Sequence, residues 1–186
     1  MERHGSIRFR PLRHDDMPLL YTWVNTAAVN QWYHKRPLSF AEVEEEFLPY
    51  CGPDDPTRGF VILQDHAPIG YIQTYLIAAY PEYQACLQVD DHTAGIDLFI
   101  GEDSWRHQGW GSQIIRSFVE QVVFADPAIT CCVIAPEVNN SAAIKTYAKA
   151  GFRYLRTADC VAVEEPEYVM ALDRRDWSGG RMEAGD

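Results

Sequence analysis

Asp97 is the one acid in the otherwise apolar run Gly95-Ile96-Asp97-Leu98-Phe99-Ile100. A carboxyl inside such a strand has its pKa raised unless it is paired. That suits a base taking a proton from an ammonium, directly or through water. On the solvated face of a sheet the same residue would be an ordinary surface acid. Downstream, Asn140 and Tyr147 lie two helical turns apart on one face of the segment Ser141–Ala150, with Asn140 a good N-cap and Gly151 a good C-terminal stop. A ligand reaching along that face meets both, whereas a tyrosine there with no ligand packs on the core.

Between these two candidates stands Arg106-His107-Gln108-Gly109-Trp110-Gly111. It follows the central apolar run and precedes a periodic segment in which Ile114, Phe118, Val122 and Ile115, Val119, Val123 form two i, i+4 rows. Glycines at a strand-to-helix turn free backbone N–H groups at the positive end of the helix, where a pyrophosphate can sit. They serve equally where φ is positive or packing is close. If the phosphate reading holds, a bulky residue at Gly111 weakens cofactor binding more than stability. No metal centre is expected: the histidines at 4, 14, 34, 66, 92 and 107 form no H-x-x-x-H pair. The five cysteines, at 51, 86, 131, 132 and 160, show neither C-x-x-C spacing nor an even count and read as small apolar side chains. Cys131 and Cys132, adjacent on a strand, face opposite sides.

A net charge of −11, from 16 Lys+Arg against 27 Asp+Glu, argues against nucleic acid and anionic membranes and suits a cationic substrate. Glu82, Asp90, Asp91 and Asp97 fall before or within the central strand, and Glu164, Glu165 and Glu167 precede the last one. No apolar run approaches the roughly 20 residues of a membrane helix. The polar start Met1-Glu2-Arg3-His4 has no signal-peptide h-region, so a cytoplasmic location is expected. At 186 residues without a Ser/Gly/Pro-rich linker, one domain over residues 1–176 is expected, with a flexible tail at 177–186.

These residues must be positioned by an α/β framework. Strands are expected at residues 7–11, 60–64, 69–77, 94–100, 130–135, 154–163 and 168–172. Helices are expected from a cap at Asp15 or Asp16 to about 26, over 29–33, from the Ser39-Phe40-Ala41-Glu42 capping box to about 50, over 112–124 and over 141–150. Residues 80–92, polar, aromatic and aperiodic, read as a mobile substrate loop, and 173–186 as a frayed tail.

The stretch from Gly95 to Phe152 resembles the acyl-CoA-binding core of the GCN5-related N-acetyltransferase (GNAT) superfamily, whose [QR]-x-x-G-x-[GA] loop holds the CoA pyrophosphate. The wording is most similar to aminoglycoside 6′-N-acetyltransferases: Gly95-Ile96-Asp97-Leu98-Phe99-Ile100-Gly101-Glu102, then the glycine loop, then Ala143-Ile144-Lys145-Thr146-Tyr147 with Lys149-Ala150-Gly151-Phe152. Upstream, Trp23-Val24-Asn25, Gln31-Trp32-Tyr33 and Gly70-Tyr71-Ile72-Gln73-Thr74-Tyr75 also look like that family. The resemblance implies a single α/β domain of the α+β type, with a mixed central sheet, antiparallel N-terminal strands and a β-α-β-α-β core. It implies acetyl-CoA as cosubstrate, without metal, and transfer of acetyl to the 6′-amine of an aminoglycoside, conferring resistance.

Carried over residue by residue, the resemblance makes Asp97 the catalytic acid that also binds substrate, and Tyr147 the donor of a proton to the leaving thiolate. Phe99 or Ile100 supplies a backbone oxyanion donor. Arg106, His107, Gln108, Gly109, Trp110, Gly111, Ser112 and Ala143 contact the cofactor, and Asn140 either does so too or only caps its helix. Trp32, Tyr33, Gln73, Tyr75 and Tyr83 are candidates to line an amino-sugar site, aromatics stacking on ring faces and acids pairing with ammonium groups; Trp32 and Tyr75 match the family's positions best, and exposed aromatics would equally seal the N-terminal helices against the sheet. Many relatives carry Asp-Pro where this chain has Ala135-Pro136. Glu137, two residues on, is expected to compensate for that acid. The partner is then a cationic small-molecule amine, and the protein a monomer or homodimer. The alternatives are N-acylation of a siderophore precursor or polyamine, and a noncatalytic CoA-binding sensor. Retention of both Asp97 and Tyr147 speaks against the latter.

Overall fold

Near-continuous burial along the central strands marks a sheet covered on both faces. The structure, a computed structural model, describes residues 6–160 and 165–177. In chain order the elements are β1 (Ile7–Pro11), α1 (Met17–Val24), α2 (Ala27–Tyr33), α3 (Phe40–Phe47), β2 (Thr57–Gln64), β3 (Ala67–Leu76), α4 (Pro81–Leu87), β4 (Thr93–Ile100), α5 (Trp110–Phe118), β5 (Cys131–Ile134), α6 (Ser141–Ala150), β6 (Arg153–Ala158) and β7 (Glu167–Asp173). They form a seven-stranded sheet of order β1-β2-β3-β4-β5-β7-β6. Every neighbouring pair is antiparallel except β4 and β5. This is the mixed α/β sheet expected from the sequence.

Period-two alternation divides the core. Phe60 and Ile62 of β2, with Ala94 and Ile96 of β4, pack on Ile114, Ile115 and Phe118 of α5. Val61, Tyr71 and Phe99, pointing the other way, pack on Leu20, Trp23, Val43 and Phe47 of the N-terminal helices. The Ser39–Glu42 capping box forms at the start of α3, Glu42 N–H donating to Ser39 Oγ at 3.3 Å and Ser39 N–H to Glu42 Oε2 at 2.7 Å. The long helix expected at 112–124 instead winds as α5 and then a π-turn over Val119–Val123. The wider turn keeps Val119 and Val123 in the core.

Three expectations are corrected. Residues 80–92 are not a loop: α4 occupies Pro81–Leu87, and its inward residues Tyr83, Cys86 and Leu87 join one apolar cluster. Those positions are i, i+3 and i+4, a helical pattern too short to register against the polar residues around it. Cys86 and Cys160 are joined in a disulfide, so these two are not merely small apolar side chains. Cys51, Cys131 and Cys132 are free, and the adjacent pair does face opposite sides, Cys132 toward α5 and Cys131 toward the α4 cluster.

Nor is the C-terminal end frayed at 173. Arg174–Asp176 form a 3₁₀ turn, and Trp177 packs on Phe124 beneath the guanidinium of Arg116. The part of the expected tail from 178 to 186, and residues 161–163 of the strand expected at 154–163, lie outside the described residues. Among the described residues no helix is long and apolar enough to cross a membrane, and no cluster of His, Cys, Asp and Glu is placed to hold a metal.

Candidate active site

Register brings the chemistry together. In the β3–β4 ladder Gln73 lies directly opposite Asp97, Tyr71 opposite Phe99 and Tyr75 opposite Gly95. Cross-strand partners share a face. Gln73 therefore donates its amide to Asp97 Oδ2 at 3.0 Å, while its carbonyl accepts from the buried Tyr71 hydroxyl at 2.8 Å. Tyr75 also hydrogen-bonds Asp97. Its ring needs the space left by Gly95, where a Cβ would lie 2.6 Å from the ring carbons. Burial raises the pKa of Asp97, and the bonds from Gln73 and Tyr75 pull it back only in part. The half-buried carboxyl is thus held by neutral donors.

Alongside Asp97 the sheet opens. The parallel β4–β5 ladder pairs only Thr93–Gly95 with Cys131–Val133, so β4 continues from Ile96 to Ile100 without that neighbour. Two cavities meet at the gap. One, of about 550 Å3, contains Asp97 with Gln73, Tyr75, Tyr83, Glu137, Glu165 and Glu167 on its walls. The other, of about 330 Å3, runs along the glycine turn between α5 and α6. Trp32, Tyr33, Leu98, Asn140 and Tyr147 border both. A group in the second cavity can therefore face one in the first across Leu98 and Tyr147.

The second cavity fits a pyrophosphate-bearing ligand. Gly109 caps α5 at φ +83°, with nothing within 4 Å of where a Cβ would stand. Arg106 is ion-paired to Asp103 through Nη2, while its buried Nη1 has no hydrogen-bond partner. The family described as acetyltransferase (GNAT) domain matches residues 13–160. The chain belongs to the GNAT acetyltransferase family. Aminoglycoside N(6′)-acetyltransferase type 1 of Klebsiella pneumoniae is 29% identical over 184 residues, covering 97% of this chain and 90% of the relative. The enzyme of the same name from Serratia marcescens is 29% identical over 175 residues, covering 92% and 85%. The solved structure of AAC(6′)-Ib with paromomycin and acetyl-CoA superposes with a TM-score of 0.86 at 26% identity, over 96% of this chain and 99% of that one. AAC(6′)-Ib with coenzyme A and kanamycin gives 0.84 at 26% identity, over 95% and 100%.

In this acetyltransferase the expected cofactor residues Phe99, Ile100, Arg106, His107, Gly109, Trp110, Gly111, Ser112, Asn140, Ala143 and Tyr147 all border the second cavity. Gln108 does not; its amide turns back to the Ser104 carbonyl. Asn140 caps α6, its Oδ1 accepting from Ala143 N–H at 3.1 Å. Tyr147, half-buried between the two cavities, has its phenol pKa pushed up by burial and by the field of Asp97, so its proton stays on.

On the acceptor side the expected aromatics Trp32, Tyr33, Tyr75 and Tyr83 all line the first cavity. Tyr33 stands edge-on to Phe99 at 5.2 Å, and its buried hydroxyl lacks a partner. The acids are redistributed. Glu82, Asp90 and Asp91 do not line the cavity; Asp90 caps the turn before β4 and Asp91 accepts from Gln84. Glu137 does line it, but is ion-paired with Lys35 at 2.8 Å. Sequence reasoning missed Lys35, and it gave Glu167 no site role. Glu167 is only 8% exposed, and Tyr83 donates to its two oxygens at 3.1 and 3.2 Å. An isolated bridge to Glu137 sets its position, which only the folded sheet reveals.

Proposed function

We propose that this chain transfers acetyl from acetyl-CoA to the 6′-amine of an aminoglycoside, by direct attack of the amine on the thioester, and so confers resistance. The observation that carries this reading is the half-buried, neutrally bonded Asp97 in an acid-lined cavity that opens onto the glycine-turn groove at Leu98 and Tyr147. The likeness to named aminoglycoside 6′-acetyltransferases over nearly the whole chain supports it.

When bound, acetyl-CoA supplies an activated acyl group and a thiolate leaving group. Gly109 and its neighbours present backbone N–H groups, and Arg106 its free Nη1, to the pyrophosphate. Asp97, ionised, holds the reacting ammonium and takes one of its protons, leaving a neutral amine whose lone pair forms the new N–C bond. Phe99 and Ile100, on the stretch of β4 that has left β5, supply N–H donors to the charge developing on the carbonyl oxygen. As the C–S bond breaks, Tyr147 gives its phenolic proton to the sulfur; the second proton shed by the acylated nitrogen restores the phenol, and Asp97 releases the first to solvent. Trp32 and Tyr75 offer ring faces to the sugar. This reading places the reaction in the cytoplasm.

Purified protein supplied with acetyl-CoA and kanamycin tests the proposal, with product regiochemistry read by NMR. Acetylation at the 6′-nitrogen is expected. An analogue with a 6′-hydroxyl is expected to bind without reacting. Acetylation at another amine would overturn the regiochemistry, and preferential turnover of hydroxylysine would overturn the substrate class.

A further inference from the structure

Among the described residues four carboxyl groups line the acceptor cavity: Asp97, Glu137, Glu165 and Glu167. Their situations differ. Asp97 lies beside the gap in the sheet, where the reacting amine arrives. Glu137 is matched by Lys35. Glu165 is exposed. Glu167 is buried at the head of β7, and among the described residues no cation forms an ion pair with it. A carboxylate offers about four lone-pair directions, and the single Tyr83 hydroxyl shared between both oxygens fills few of them.

We propose that Glu167, oriented by Tyr83, is a second ammonium-binding carboxylate of the acceptor cavity, and that it selects for acceptors with a charged amine beyond the one acetylated. This rests on the reading of the cavity as an aminoglycoside site. The physical argument is one of unmet charge. Burial pushes the Glu167 carboxyl up to about 7, the field of Asp97 adds to this, and the Tyr83 bond opposes it. Ionising Glu167 in the empty cavity is therefore costly, and an ammonium offsets that cost. Since Asp97 and Glu167 repel through the shared cavity, a molecule with two ammonium groups relieves both carboxylates together. A monoamine relieves only one.

The groups facing Glu167 are Tyr83 from α4, Asp97 and Tyr75 from the central strands, the Glu137–Lys35 pair across the bridge, and Glu165 beside it. Of these only Tyr83 bonds it, and the Tyr83 and Tyr75 hydroxyls, both shifted upward, remain neutral. Affinity contributed by Glu167 accordingly rises as pH increases through about 7 and the carboxyl ionises.

The test compares kanamycin with methyl 6-amino-6-deoxyglucoside, which carries only one amine, in wild type and Glu167→Gln. For kanamycin, Kd by calorimetry and KM should rise roughly 10- to 100-fold in the variant, with kcat within about twofold. For the monoamine both should stay within about twofold of wild type. Equal changes for the two acceptors, or none for kanamycin, would overturn the proposal. Tyr83→Phe supplies an independent arm: it keeps the carboxylate but removes the bond that lowers its pKa, so the pH midpoint of kanamycin affinity should move upward. An unmoved midpoint counts against the proposal even if Glu167→Gln fails to fold. Wild-type acetylation of kanamycin decides the functional reading separately, because the calorimetric ratio is measurable whether or not turnover occurs.

Discussion

Gly111 and Thr146 touch: a Cβ on Gly111 would lie 2.7 Å from Thr146 Cγ2. The glycine therefore lets α6 approach α5, and its substitution cannot be a pure cofactor-binding lesion. Gly111→Val should overpack this contact by about 1–3 kcal/mol and lower Tm by several degrees while weakening CoA binding. Adding Thr146→Ser, which deletes the offending methyl, should recover part of the Tm. Gly109→Ala meets no atom but keeps the left-handed backbone, at a cost of about 1–2 kcal/mol. Thermal melts and CoA titrations separate these cases; a wild-type Tm in Gly111→Val would mean that Thr146 yields freely.

Asp97→Asn should lower kcat/KM by about 10²- to 10⁴-fold with CoA affinity retained. Its stability should move the other way. The folded pKa of Asp97 lies above its ordinary 3.8, so the folded state keeps a proton that the unfolded chain has released. Stability is lost as pH rises from 3.8 through the raised value. The variant lacks that loss, and its Tm at pH 8 should equal or exceed that of wild type.

Tyr147→Phe should lower kcat with little change in acceptor KM, as expected for a group acting on the leaving thiolate. With acetyl transfer shown to limit the rate, an unchanged kcat would make Tyr147 a packing residue.

Glu46, raised by burial from 4.5 to about 7, lies 3.3 Å from His34, whose own pKa burial lowers. Between pH 4.5 and 7 folded Glu46 holds more protons than the unfolded chain, so it makes stability fall with rising pH. His34 opposes this near its ordinary 6.5, where the unfolded chain holds the extra proton. Glu46→Gln should flatten the decline in a series of melts from pH 5 to 8. A decline as steep as that of wild type would assign it to Asp97 and Glu167 alone.

Arg174 donates to the carbonyls of Ile129 at 2.6 Å and Phe124 at 2.9 Å, and to that of Asp126, while lying over the Phe124 ring. Arg174→Ala leaves carbonyls unsatisfied and should cost about 1–3 kcal/mol, visible in the urea midpoint. Lysine, without the planar fork, should not restore it. A surface residue would show no change.

Local pattern reached part of the site. Asp97 stands out because acids are rare inside apolar strands, and the glycine turn because it joins an apolar run to a strongly periodic helix. What escaped depends on distant packing. The seven residues of α4 show too few turns for their period to be read, so Tyr83 appeared as a loop aromatic. Its bond to Glu167 spans 84 positions, and the Cys86–Cys160 disulfide spans 74. Glu167 looked like one more acid in a polar run, because its bridge to Glu137 and its bond from Tyr83 of α4 exist only in the folded chain. The Lys35–Glu137 pair, likewise, joins segments about a hundred positions apart.

The parting of β4 from β5 also sorts the sequence into two inventories. One cavity draws on Lys35, Gln73, Tyr75, Tyr83 and Glu167, the other on residues 105–107 and 109–112 with Ala143 and Thr146 of α6. Among the described residues only Trp32, Tyr33, Leu98, Asn140 and Tyr147 answer to both. Mutational drift in the first group can therefore retune which amines are accepted while the binding of the acyl donor persists. A change in any of the five shared positions is felt by both substrates at once.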